Sequence, residues 1–287
     1  MSVGDIGARM ETVVQKQQYN TESTRIMCKS SHHGPTGVGT GTLPAAVRTL
    51  LPSHPACTEA LALAKSSLPA SILYHSLRVY LYAQAFMSTY AKTQPDDATW
   101  AKESPCSGAT SSDNPTLPHI APPAPPYVLF VACILHDIGV AKDYDTVPDR
   151  FEVVSADVAA GMLRKHDVAE PLVSDAWLAM SLHTSPGIAE RLGGMVRALR
   201  LAVRADFGSF PQPDAQKIPG GQEGFNIIRW QLPRLEIEKE LGDAVVSQAL
   251  AMGEWKHSQK APKASWPGDL VRGKRQNPEW DGVNKEF

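Results

Sequence analysis

Apolar residues recur at helical spacing along most of the chain, and no segment or internal repeat stands out with the alternation of a β-strand. Ile72, Val79, Ala83 and Phe86 share one face of a helix predicted over residues 71–90, and His75 lies among them. Shorter helices are predicted before it, over 43–51 and 58–66. Residues 127–135 form the longest uninterrupted apolar run, within a helix expected over about 126–140. That run is too short to cross a bilayer. Being apolar on nearly every side, it belongs at the centre of a bundle. The helix closes on Leu135-His136-Asp137-Ile138-Gly139, where Gly139 suits a C-cap.

Further along, residues 152–166 point Val154, Val158, Met162 and Leu163 inward. A helix with Ser174 as its expected N-cap ends at His183, before Pro186. Residues 195–206 place Met195, Leu199, Ala202, Val203 and Asp206 on one face. Arg197, Arg200 and Arg204 fall on the other, which is expected to be solvated. A last long helix follows Pro233 and reaches about residue 255. The fold class is therefore all-α.

Three stretches interrupt this pattern. Residues 1–43 are polar and are expected to form a flexible arm. Its Gly34, Gly37, Gly39 and Gly41 lack the preceding strand and the following Lys-Ser/Thr of a phosphate loop. Residues 94–126 hold eight prolines, too many for a helix, and are read as an insertion in a helical domain spanning 44–256. Residues 257–287, rich in Pro, Gly, Lys and Trp, are expected to be an irregular tail. Trp177, Trp230 and Trp255 read as packing residues.

Composition narrows the function. The 287 residues are 43% apolar and 20% charged, as in a globular protein. The net charge of −2 gives no basic surplus for nucleic acid or an anionic membrane. Cys28, Cys57, Cys106 and Cys133 show no CxxC spacing, which argues against a disulfide framework or a thiolate zinc site. A cytoplasmic location with reduced thiols is expected. The expected partner is a small-molecule substrate, and a homo-oligomer is compatible with the sequence.

Chemistry concentrates where polar residues sit on apolar helix faces. His75, the adjacent pair His136-Asp137, and Asp206 come from three separate helices. A lone histidine on such a face is most often a satisfied core residue, and a His-Asp pair is common by chance. Their combination, in order and in buried helices, is more specific. A buried carboxylate needs a partner, and a cation is the usual one. Imidazole and carboxylate together suit Zn, Fe, Mn or Ni better than Ca or Mg. His183, at a helix end beside Thr184 and Ser185, is a candidate substrate contact or proton donor. Glu152 reads as a first-turn carboxylate, with a supporting role at the site as the alternative.

The run 74–80, Tyr-His-Ser-Leu-Arg-Val-Tyr, then Leu135-His136-Asp137-Ile138-Gly139, then Asp206, resembles the H…HD…D signature of the HD-domain superfamily. The likeness covers about residues 45–210. Within the superfamily it is closest to the cyanamide hydratase-like branch, to which 150–153 and 182–188 are also similar. The resemblance implies an HD-type helical bundle. It implies His75, His136, Asp137 and Asp206 as metal ligands, with zinc as the metal and Fe or Mn as alternatives. Asp137 and His183 are the residues expected to take part in catalysis, with a helix C-terminal histidine favoured by the helix dipole as the plainer reading of His183. The activity it implies is that of a hydro-lyase adding water to a small nitrile-type compound such as cyanamide, giving urea. The alternative is a phosphohydrolase acting on a nucleotide or other phosphomonoester. Two departures bear on the choice. Members acting on cyanamide carry Thr-Thr-x-Asp, where this chain has Val203-Arg204-Ala205-Asp206. HD-type nucleotidases carry a glutamate where this chain has Val140.

Overall fold

The computed structural model describes residues 43–90, 124–252 and 259–279. The expected N-terminal arm and almost all of the Pro-rich insertion lie outside the described residues, as does Trp255. Among those described the chain is all helical, with no strand. The helices are α1 (Ala45–Arg48), α2 (Pro55–Ser67), α3 (Ala70–Tyr90), α4 (Pro126–Leu135) and α5 (Phe151–Lys165). They continue with α6 (Glu170–Leu182), α7 (Gly194–Asp206), α8 (Gly221–Gln231), α9 (Ile237–Ala251) and α10 (Trp266–Gln276). None is long and apolar enough to cross a membrane.

The apolar helix α4 is the axis of the packing. Every side chain from Val128 to Leu135 is buried, and α2, α3, α5 and α6 all pack against it. Proline starts it well, because Pro126 fits the first turn, where its missing N–H costs nothing. Burying a Leu, Ile or Phe side chain contributes about 1.5–3 kcal/mol. Leu129, Phe130, Ile134 and Leu135 therefore anchor this helix from all sides. Around it, α3 lies along α7, α5 pairs with α6, and α6 pairs with α7.

Several local expectations change. The α4 helix stops at Leu135 instead of continuing to 140; a short 3-10 turn, Ile138–Val140, follows. Gly139 has no positive φ, so it is not the left-handed cap expected of it. It is glycine for space: a Cβ there would lie 2.2 Å from the carbonyl oxygen of Phe151. Its N–H donates to Ser155 Oγ at 2.8 Å, which pins the turn to α5. Helix α6 begins at Glu170, with Pro171 in its first turn, so Ser174 lies inside the helix and caps nothing. Trp230 is exposed and is not a packing residue.

The C-terminal segment is not wholly irregular. Ser265 caps α10 by accepting from Gly268 N at 3.2 Å, Pro267 sits in the first turn, and Asp269 follows. These are ordinary helix-start signals. Leu270 and Val271 are buried, and the helix packs on α9.

Candidate metal centre

Three helix ends and one helix interior meet at a single buried site. His75 comes from the middle of α3 and is fully buried. His136 follows α4 directly and keeps helical angles. Asp137 then leaves the helix, with φ −109° and ψ 9°, and so turns its carboxylate back toward His136 and His75. His136 Nε2 lies 3.3 Å from His75 Nε2. Asp137 Oδ2 lies 3.2 Å from His136 Nε2 and 3.7 Å from His75 Nε2. His75, His136 and Asp137 thus form a buried group that could hold a metal ion.

The chemistry of the group fits a cation. Both Asp137 oxygens are buried and have no hydrogen-bond donor. An ionised carboxylate left this way is very costly, and a buried neutral donor would ordinarily be supplied. Burial opposes ionisation of Asp137, and positive charge at the surrounding His136, His183 and His75 is needed to hold its carboxyl below the usual carboxylate range. Burial pushes His136 down to about 3, with Asp137 opposing and the two neighbouring histidines assisting. His136 is therefore a neutral imidazole at neutral pH, the form in which histidine binds a metal.

Asp206, the last residue of α7, is brought to the site but on the other side of a ring. Its Oδ2 lies 2.7 Å from His75 Nδ1, behind the imidazole whose Nε2 faces His136. Arg78, three residues after His75 on α3, grips both its oxygens: Nε to Oδ1 at 2.7 Å and a terminal nitrogen to Oδ2 at 2.8 Å. The other terminal nitrogen of Arg78 donates to the carbonyls of Leu232 and Pro233 at 3.1 and 3.0 Å. Burial opposes ionisation of Asp206, while Arg78 and His75 hold its carboxyl below the usual range.

His183 joins the cluster. It follows α6 as His136 follows α4, and its Nε2 is 3.5 Å from Asp137 Oδ1. Its ring meets that of His136 edge to face, with centroids 4.9 Å apart. Glu152 is the first-turn carboxylate of α5, as expected, and is fully buried. It accepts from Arg150 at 2.6 Å and from the Thr184 hydroxyl at 2.5 Å, and so ties the loop after His183 to α5.

The arginine face of α7 departs most from expectation. Arg200 is buried, not solvated: its Nε donates to Glu190 at 2.9 Å and a terminal nitrogen donates to the His183 carbonyl at 3.0 Å. Helix α7 packs on α3 along one side and on α6 along another, so two faces are enclosed. Arg200 and Arg204 both border the cavity over the cluster. That cavity measures about 70 Å³ and is walled by Val203, Phe207, Leu241, Trp266 and Leu270. The walls from α9 and α10 were not foreseen in the sequence, although the Ser265-Trp266-Pro267 start of α10 was a readable signal.

No known protein-family model matches the chain, and no curated protein matches it. The likeness to HD-domain enzymes rests on the residues named above.

Proposed function

We propose that this protein is a metal-dependent hydratase of the HD-domain type that adds water to a small, uncharged nitrile-type substrate. The observation carrying this reading is the buried Asp137 carboxylate. It lacks any donor and faces the Nε2 atoms of His75 and His136 at the floor of a small cavity. A divalent ion held by these residues would supply Lewis acidity, lowering the pKa of water and polarising a substrate nitrogen. Zinc fits the mixed imidazole and carboxylate donors, and Fe or Mn are alternatives.

The chain's own residues supply the rest. Asp137 keeps a fixed negative charge beside the reacting atoms. Asp206 and Arg78 hold the His75 ring from behind. Val203, Phe207 and Leu241 make an apolar wall that favours an uncharged substrate over water. A cavity of roughly 150 Å³ takes up benzene, so about 70 Å³ suits a compound of a few heavy atoms at the reacting end. The overall reaction is R–C≡N plus H₂O giving R–C(=O)NH₂. Val203, in place of a hydroxyl residue, favours an apolar R over the amino group of cyanamide.

The second reading, hydrolysis of a phosphomonoester, is favoured by the presence of Arg200 and Arg204 at the cavity. Both already face Glu190, at 2.9 and 3.6 Å, so their charge is partly met, and Arg78 is fully engaged with Asp206 and backbone carbonyls. The test is steady-state rates of zinc-loaded protein on cyanamide, simple alkyl and aryl nitriles, and nucleoside monophosphates. Turnover of a nitrile with formation of amide is expected. Hydrolysis of the monophosphates with the nitriles unchanged would replace this reading by the second.

A further inference from the structure

Three histidines around Asp137 share one hydrogen-bond arrangement. In each, Nδ1 faces an oxygen acceptor: Asp206 Oδ2 at 2.7 Å for His75, the Cys133 carbonyl at 2.7 Å for His136, and the Met180 carbonyl at 2.6 Å for His183. A carbonyl oxygen can only accept, so Nδ1 of His136 and His183 carries the proton, and the neutral ring then presents a bare lone pair at Nε2. The carboxylate of Asp206, itself held ionised by Arg78, fixes His75 in the same way. All three Nε2 atoms turn toward Asp137: those of His75 and His136 lie 3.7 and 3.2 Å from Oδ2, and that of His183 lies 3.5 Å from Oδ1.

His136 and His183 are built alike. Each is the residue that closes a helix, α4 or α6, and each donates to the carbonyl three residues earlier. Arg200 adds a second restraint by holding the His183 carbonyl at 3.0 Å. A proton-donating His183 would need its hydrogen on Nε2, and the Met180 carbonyl directs it to Nδ1 instead. Asp206, by contrast, has no free side toward the cluster. Its oxygens serve Arg78 and His75, and the His75 ring stands between it and the Nε2 atoms.

We propose, on the metal-dependent reading above, that the ion is bound by His75, His136 and His183 through Nε2 together with Asp137, and that Asp206 acts behind His75 as its orienting partner. With metal–ligand distances of about 2 Å, neighbouring ligand atoms lie roughly 3 Å apart, and an ion held by these four side chains would take water or substrate as a further ligand. The 3.5 Å gap between His183 and Asp137 is close to that spacing. Asp206 would have to give up the Arg78 fork and pass the His75 ring to reach the same point. A carboxylate that accepts from the far nitrogen of a ligating histidine is a common supporting arrangement around metals. The assignment moves His183 from proton handling to ion binding.

The test is a long-range proton–nitrogen NMR spectrum of the full chain, labelled with ¹⁵N-histidine, with and without one equivalent of Zn²⁺. Three side chains are expected to show the Nε2-bound, Nδ1-protonated pattern. His183→Gln should remove one of them, and Asp206→Asn should keep all three while weakening Zn²⁺ binding about 10- to 100-fold. A His183 signal unmoved by zinc in the wild-type chain, or complete loss of zinc binding in Asp206→Asn, overturns the assignment. Failure of the wild-type chain to take up zinc or any other divalent transition ion overturns the metal-dependent reading itself.

Discussion

Arg78 and Asp206 form a buried two-point ion pair between α3 and α7, with both carboxylate oxygens within 2.8 Å of guanidinium nitrogens. Removing one partner of such a pair leaves an uncompensated buried charge, at a cost of about 3–5 kcal/mol. Arg78→Leu should therefore lower unfolding free energy by about that amount in urea titrations. Arg78→Lys should recover only part of it, because an ammonium cannot meet both oxygens at once. A loss under 1 kcal/mol for the leucine variant would show that the pair is not closed in solution.

Asp137 has the opposite character, a charge without a donor in the metal-free chain. Asp137→Asn removes that charge while keeping its shape. The metal-free variant should unfold at the same temperature as wild type or a higher one. Binding to the native state alone raises stability, so zinc should raise the wild-type midpoint and leave that of the variant where it was. Calorimetry with and without chelator reads both effects. A zinc-dependent rise in Asp137→Asn would remove Asp137 from the ion site.

Acid should destabilise the metal-free protein early. His136 titrates near its usual value of 6.5 when unfolded but is pushed down to about 3 by burial when folded. Between those values the unfolded chain binds more protons, so stability rises with pH across the window and is lost as pH falls through it. Asp206, lowered in the folded state, acts in the same direction once pH drops below the ordinary carboxylate range. Chemical denaturation from pH 7.5 to 4 should show a falling midpoint beginning near pH 6.5. His136→Asn should flatten the upper part of that slope.

Gly139 holds the turn that aims Asp137. A methyl group there would meet the Phe151 carbonyl at 2.2 Å, and the Gly139 and Ala141 carbonyls each accept from Gln248 at 3.2 Å. Gly139→Ala should cost about 1–3 kcal/mol through forced backbone displacement, and should weaken zinc binding because the displaced turn carries Asp137. Isothermal titration and urea unfolding on the same preparation separate the two. Unchanged values in both would mean the turn relaxes freely.

Trp266 brings α10 over the cavity and meets Phe151 edge to face, with centroids 6.0 Å apart. On the hydratase reading, Trp266→Ala should raise KM for the smallest nitriles and improve kcat/KM for bulkier aromatic ones. An equal loss for all sizes would place Trp266 in stability alone.

The helical fold class, the central position of 127–135 and the meeting of His75 with His136 and Asp137 could be read from the chain itself. An apolar run with no polar face has to be buried, and ligands on apolar faces have to go where those faces meet. The boundary of α4 was less legible, because the turn after Leu135 is fixed by Ser155, Phe151 and Gln248, all distant in sequence. The same limit applies to Arg200. Periodicity assigned it to a free face, and only the packing of α7 between two neighbours made that face interior. Which side of the His75 ring Asp206 takes was decided by Arg78, and which nitrogen His183 presents was decided by a carbonyl three residues before it. Sequence order names the groups that can approach one another. Hydrogen bonds decide how each is turned, across helices for Asp206 and within the helix end for His136 and His183, because in a closed interior every donor and acceptor competes for few partners.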